Sequence, residues 1–133
     1  MSNYYGFKAM KKRKFSIFKY LKFKYLTKFS AMISNDKVTD IFFDIDEFCN
    51  VFEPAFTQRL LEDGKKHRKR AFRMSMSEII TIMVIFQLSG HRTFKHFYLF
   101  YVQKHMKAEF PNTVSYNRFT ELMRPICCRL YYL

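Results

Sequence analysis

The stretch "SMSEIITIMVIFQLSG", residues 75–90, decides the fold of this chain. Ser75 and Glu78 have the spacing of a capping box, in which each side chain accepts a hydrogen bond from the backbone amide of the other residue at a helix N-terminus. From Ile79 to Leu88 nearly every residue is apolar, so a helix here has apolar side chains on almost all of its faces. Gly90 is of the residue type that commonly ends a helix. The stretch therefore predicts a central, buried helix.

An amphipathic helix is predicted ahead of this stretch. It begins near residues 34–36, where Ser, Asn and Asp are each suitable N-cap residues. Pro54 is expected to end or bend it and to start a shorter helix that runs to Leu61, with Gly64 closing that helix. Its apolar residues recur at the spacing of a single helix face: Val38, Ile41, Phe42, Ile45, Phe48, Cys49 and Phe52.

Two further helices are predicted after Gly90, over residues 93–107 and 115–124. The first has an apolar stripe formed by Phe94, Phe97, Tyr98, Tyr101, Val102 and His105, so His105 is expected to pack in the core. Ser115 caps the second, whose inward residues are Tyr116, Phe119, Leu122 and Met123. No strand-like alternation competes with this pattern. The sequence predicts an all-α fold, a small bundle of about four to five helices, with helix-turn-helix character in the last pair and a basic helix or tail at the N-terminus.

The charge is high and unevenly distributed. The chain has a net charge of +13 and a pI near 9.8. Residues 1–35 contain nine Lys and Arg and no acidic residue, residues 36–63 contain eight acidic residues against two basic ones, and residues 64–133 contain thirteen basic residues against three acidic ones. A strongly basic balance of this kind favours nucleic acid or an anionic surface as the partner.

The boundary between the basic N-terminal segment and the rest of the chain is predicted at Met32. Residues 1–31 are rich in aromatic residues and lysine at roughly helical spacing, which is typical of a helix lying on a membrane surface or on nucleic acid, and equally of a solvated tail. We expect residues 1–31 to be a tail and residues 32–133 to be the helical domain.

Two groups of residues are candidates for DNA contacts. A basic run precedes the central helix and can neutralise phosphates: Lys65, Lys66, Arg68, Lys69, Arg70 and Arg73. Asn117 and Arg118 fall in the first turn of the last predicted helix and are of the types that contact adenine and guanine edges. A solvated linker and a polar helix surface are the alternative interpretations of these two groups.

The sequence offers little for catalysis or metal binding. Asp40, Asp44 and Glu47 can share one helix face, but Mg²⁺ requires carboxylates that converge. The four histidines and three cysteines have no metal-ligand or redox spacing, so no catalytic residue, resident metal or cofactor and no small-molecule substrate is expected. The apolar run from Ile79 to Leu88 is about half the length of a membrane span, and we expect a reduced, cytoplasmic protein associated with the nucleoid.

Three blocks of the sequence resemble a known family. "VTDIFFDIDEFCNVFEP" (38–54), "RMSMSEIITIMVIFQLSGHRTFKHFYLFYV" (73–102) and "FPNTVSYNRFTELM" (110–123) occur in an order similar to the N-terminal region of bacterial DDE-type insertion-sequence transposases, in the family numbered nine-eight-two. The resemblance covers residues 37 to about 123. The segment "RPICCRLYYL" (124–133) departs from it and is interpreted as a frameshifted tail.

The resemblance implies a role in DNA transposition. Relatives would carry a helical region that engages insertion-sequence ends, followed by an RNase H-like domain with three acidic residues and two divalent metal ions such as Mg²⁺. Those catalytic residues fall beyond the matching region, so this chain is expected to be a truncated transposase that binds DNA without catalysis, alone, as a homo-oligomer or with a full-length transposase. A stand-alone DNA-binding regulator or inhibitor of transposition, and an inactive folded relic, are the alternatives.

Overall fold

The structure is a computed structural model that describes residues 34–64 and 72–131. These residues form four helices and no strand, which confirms the predicted all-α class. Helix α1 is Asn35–Glu62 and α2 is Met76–Ser89. Helix α3 consists of Phe94–His96, a π-helical segment Phe97–Val102 and Gln103–His105, and α4 is Tyr116–Tyr131. The N-terminal tail predicted over residues 1–31 and most of the basic run lie outside the described residues.

Helix α1 runs through Pro54 without a break, so the expectation of a separate short helix up to Leu61 is wrong. A proline within a helix removes the hydrogen bond to the carbonyl four residues earlier, here that of Asn50, and both Asn50 and Pro54 are exposed to water. On the buried side, the rings of Phe48, Phe52 and Phe56 stack at centroid distances of 5.3 and 5.5 Å. This row of rings spans the proline and holds both halves of α1 against the core.

Helix α2 has the central position that its sequence predicts. Glu78 donates its backbone N–H to Ser75 Oγ at 3.1 Å, and the Ser75 N–H donates to Glu78 Oε2 at 2.7 Å, which confirms the capping box. Most of the helix is buried, including Ile80, Ile82 and Ile85 with no measurable exposure. Gly90 ends the helix with φ at 69°, a left-handed conformation that glycine adopts without a steric penalty. Helix α2 packs against α1 on one side and α4 on another.

Helix α3 differs from the prediction in its register. The sequence pattern places His105 in the core, but His105 is exposed and Met106 is buried instead. The cause is the π-helical segment Phe97–Val102, in which each hydrogen bond spans one residue more than in an α-helix. The N–H of Met106 donates to the carbonyls of both Tyr101 and Val102 at 3.2 Å. Val102 keeps its predicted place in the buried stripe, so the shift by one position comes after Val102, where Met106 replaces His105.

Helix α4 is anchored by a continuous apolar row and is longer than predicted. Phe119, Leu122 and Ile126 are buried, and Leu130 packs against the same core. Residues 124–131 thus extend the helix through Pro125, where the sequence pattern indicated an end.

One carbonyl oxygen holds the connection between α3 and α4 in place through two hydrogen bonds. Val114 O accepts hydrogen bonds from Tyr98 Oη at 2.6 Å and from Gln103 Nε2 at 3.0 Å. This connection runs from Met106 to Ser115, longer than the turn of about three to four residues in a helix-turn-helix motif. The helix-turn-helix character of the last pair therefore remains a prediction.

Candidate nucleic-acid interface

The predicted phosphate-binding run is described only at its end. Lys65, Lys66, Arg68, Lys69 and Arg70 lie outside the described residues. Arg73 is exposed on the segment that leads into α2, directly before the buried Met74 and the capping residue Ser75. The C-terminal end of this basic run is therefore held next to the start of helix α2, most of which is buried.

Asn117 and Arg118 are exposed on the first turn of α4, as the sequence pattern predicts. Positions 117, 118, 121 and 124 fall on one side of a helix with 3.6 residues per turn, and Glu121 and Arg124 are also exposed. The opposite side carries the buried apolar row. A helix fixed in this way presents a polar face to solvent with a rigid backbone beneath it.

The guanidinium of Arg118 is paired within its own helix. Its Nη1 lies 2.8 Å from Glu121 Oε2, and both side chains are more than half exposed. An exposed pair of this kind contributes only about 0–1 kcal/mol, so Arg118 can exchange Glu121 for an external acceptor at small cost. The N–H of Arg118 also approaches Ser115 Oγ at 3.4 Å, which leaves Ser115 as a weak cap for α4.

The fold separates acidic from basic surface. Helix α1 and its C-cap Asp63 hold eight acidic residues against Lys37 and Arg59, whereas residues 72–131 hold eight basic residues against three acidic ones. Seven of those eight basic residues are exposed, Arg129 being the half-buried exception over the ring of Phe56. A polyanion is therefore attracted to the surface outside α1.

One acidic residue of α1 has a structural role. Asp46 Oδ1 accepts a hydrogen bond from Ser77 Oγ at 2.8 Å, and Asp46 Oδ2 accepts one from Asn50 Nδ2 at 3.2 Å. The first bond joins α1 to α2. Within residues 34–64 and 72–131, no three His, Cys, Asp or Glu side chains are grouped closely enough to hold a metal ion.

The thiols differ in their surroundings. All three cysteines are free, and burial raises the pKa of Cys49 to about 11 despite a hydrogen bond with Ser77 that lowers it. Burial also raises the pKa of Cys127, while Cys128 is exposed. A thiol with a raised pKa is a weak nucleophile and a poor metal ligand at neutral pH.

The outer surface of α3 has a patch of basic and aromatic side chains. The sequence has no continuous run of charged residues that would indicate this patch. Lys95, His96, Phe100 and Lys104 are all exposed, and Arg92 precedes them in the connection from α2. The signal in the sequence is the absence of acidic residues from Ile79 to Ala108, a stretch that contains four basic residues. That signal is weak because the basic residues are dispersed among apolar ones.

Comparisons with known proteins identify no family. No protein-family model matches the chain, and neither a curated protein nor a solved structure matches it. The resemblance to insertion-sequence transposases therefore stays a prediction. None of the helices in the described part of the chain combines the length and apolar character needed to cross a membrane.

Proposed function

We propose that this chain binds DNA as the helical N-terminal region of an insertion-sequence transposase. The observation that supports DNA binding best is the separation of charge, because exposed basic residues occupy the surface outside α1 while the acidic residues collect on α1. The resemblance of the three sequence blocks to transposases supplies the proposed target, insertion-sequence ends.

Two kinds of contact carry the proposed binding. The basic run from Lys65 to Arg73 neutralises phosphates, which gives affinity without sequence preference. Asn117 and Arg118 contact base edges from the exposed face of α4, which gives preference for one sequence. The chain acts alone, as a homo-oligomer or together with a transposase that has the catalytic domain, in the nucleoid. A regulator or inhibitor of transposition would use the same contacts.

A salt titration tests the phosphate contacts. Binding of the full chain to insertion-sequence-end duplex is measured by fluorescence anisotropy over a range of salt concentrations, and scrambled duplex serves as the second ligand. Replacing Lys69 and Arg70 with Gln is expected to weaken binding to both duplexes equally. It should also reduce the slope of log K against log salt by about 0.9 for each phosphate that is no longer neutralised. An unchanged slope contradicts the proposed role of the run, and no binding of either duplex by the wild-type chain contradicts the proposed function.

The proposal includes no strand cleavage by this chain alone. The resemblance assigns the catalytic acids to a region outside the matching blocks, and both oxygens of Asp46 are engaged by Ser77 and Asn50. We expect purified protein to leave supercoiled and end-containing DNA intact in the presence of Mg²⁺ or Mn²⁺. Cleavage that is abolished by Asp40→Asn or Asp44→Asn would show a catalytic site on α1.

A further inference from the structure

The exposed row on α3 combines an aromatic ring with positive charge. Phe100 is 48% exposed in a helix that buries Phe97 and Tyr98 completely. The ring of His96 lies beside it at a centroid distance of 4.7 Å and an interplanar angle of 31°. Lys104 Nζ lies over the same ring, 4.7 Å from its centroid. The row is therefore a short aromatic stack with an ammonium group over the face of Phe100.

The π-helical segment belongs to the same feature. Phe100 lies inside Phe97–Val102, on the side of the helix that the predicted apolar stripe leaves to solvent. Phe97, Tyr98 and Val102 stay buried in this segment while Phe100 faces solvent. The segment thus exposes an aromatic side chain on a backbone that its buried neighbours hold in place.

The charge of this part of the chain favours an anionic ligand. From Ile79 to Ala108 the chain contains no acidic residue, while Arg92, Lys95, Lys104 and Lys107 are exposed. An exposed ring with the Lys104 ammonium group over it suits a ligand that has both flat faces and negative charge. A nucleic acid strand with unpaired bases has both properties, because each base stacks on aromatic rings and each phosphate pairs with a basic side chain.

We propose that His96, Phe100 and Lys104 form a binding site for unpaired bases of DNA, with Phe100 as the stacking ring. A base displaces the Lys104 ammonium from the ring, and the ammonium then meets the adjacent phosphate. The inference rests on the proposed DNA-binding function and adds to it a surface that engages single-stranded rather than duplex DNA. This site is separate in sequence from both the basic run and Asn117–Arg118.

The absence of tryptophan from the chain allows a direct test. Phe100→Trp introduces a single tryptophan into the proposed site, and it is excited at wavelengths where the nine tyrosines absorb little. Phe43→Trp introduces one on acidic helix α1, where Phe43 is 70% exposed, and is the matched control. The probes are a mixed-sequence single-stranded oligonucleotide, a blunt duplex of the same sequence, and vesicles of phosphatidylcholine and phosphatidylserine. Thermal melts establish that each variant is folded.

The oligonucleotide is expected to quench the fluorescence of Phe100→Trp and to leave that of Phe43→Trp unchanged. Phe100→Ala should weaken binding of the oligonucleotide by about tenfold, as expected for the loss of one stacked base, while Phe100→Tyr retains it and duplex binding changes little. Equal oligonucleotide affinity in Phe100→Ala and the wild type overturns the inference, as does a blue shift of Phe100→Trp with vesicles but no quenching by DNA. If the wild type still binds duplex, only this inference fails. If it binds neither form of DNA, the proposed function fails as well.

Discussion

Ser77 donates a hydrogen bond from its hydroxyl to the carboxylate of Asp46 across 2.8 Å, and this bond joins α1 to α2. Ser77 is buried and Asp46 is half-buried. Since Asn50 occupies the second carboxylate oxygen, Asp46 is satisfied on both sides and holds the two helices in register. Among the helices of residues 34–64 and 72–131, the most acidic is thereby linked to the most apolar.

We expect Ser77→Ala to lower the free energy of unfolding by about 1.5–3 kcal/mol, the usual contribution of a hydrogen bond to a charged group. The change leaves one carboxylate oxygen at the helix interface without its partner. Urea unfolding measures the loss, and Asp40→Asn on the exposed side of α1 is the control, with an effect of about 0.5 kcal/mol or less. Equal stabilities of these two variants would show that the bond does not contribute.

Much of the fold was predictable because its signals are local. The capping box of Ser75 and Glu78 needs only neighbouring residues, and the apolar stripe of α1 needs only helical periodicity. Two of the errors come from packing. Pro54 stays within α1 because the phenylalanine row on the buried side holds both halves of the helix, and His105 loses its place to Met106 because a π-helical turn inserts an extra residue. Neither effect can be deduced from helical periodicity alone.

The candidate site was predictable only in part. The exposure of Asn117 and Arg118 follows from the apolar spacing of Phe119 and Leu122, which fixes the outward face of α4. The pairing of Arg118 with Glu121 is also implied by their spacing of three. The predicted apolar stripe of α3 leaves Phe100 out, so its exposure follows from helical spacing, whereas the contacts of its ring with His96 and Lys104 depend on side-chain placement that the sequence does not indicate.

The carbonyl of Val114 provides a test of how the start of α4 is positioned. Tyr98→Phe and Gln103→Met each remove one donor and leave the other, so each is expected to cost about 0.5–1.5 kcal/mol. The double variant removes both donors and leaves the carbonyl without a partner from either side chain. The loss in the free energy of unfolding for the double variant should exceed the sum of the two single losses by more than about 0.5 kcal/mol. Independent sites usually add to within about that amount. Additive values in a double-mutant cycle of urea unfolding would contradict this account, and Tyr101→Phe is the matched control.

The cysteines should differ widely in reactivity. At pH 8 only about one Cys49 thiol in a thousand is ionised, given its pKa of about 11, and the residue is buried. Exposed Cys128 is expected to react rapidly with a thiol reagent in the folded protein, whereas Cys49 reacts only on unfolding or as the pH approaches 11. Mass spectrometry after timed alkylation distinguishes the sites, and Cys128→Ser should remove the fast phase. Rapid labelling of Cys49 at pH 8 would show that α1 and α2 separate readily.

Base contacts by α4 should be distinguishable from attraction by charge. We expect Asn117→Ala or Arg118→Ala to weaken binding to insertion-sequence-end duplex by about 1–3 kcal/mol, because each removes a side chain that hydrogen-bonds to a base edge. Binding to scrambled duplex should change little. Arg59→Ala on acidic helix α1 removes the same charge as Arg118→Ala and is the matched control, with no effect on preference. Competition between the two duplexes, measured by anisotropy at constant salt, gives the ratio of affinities. If that ratio is unchanged in Asn117→Ala and Arg118→Ala, the exposed face of α4 does not read sequence, and the affinity of the chain for DNA resides in its basic surface.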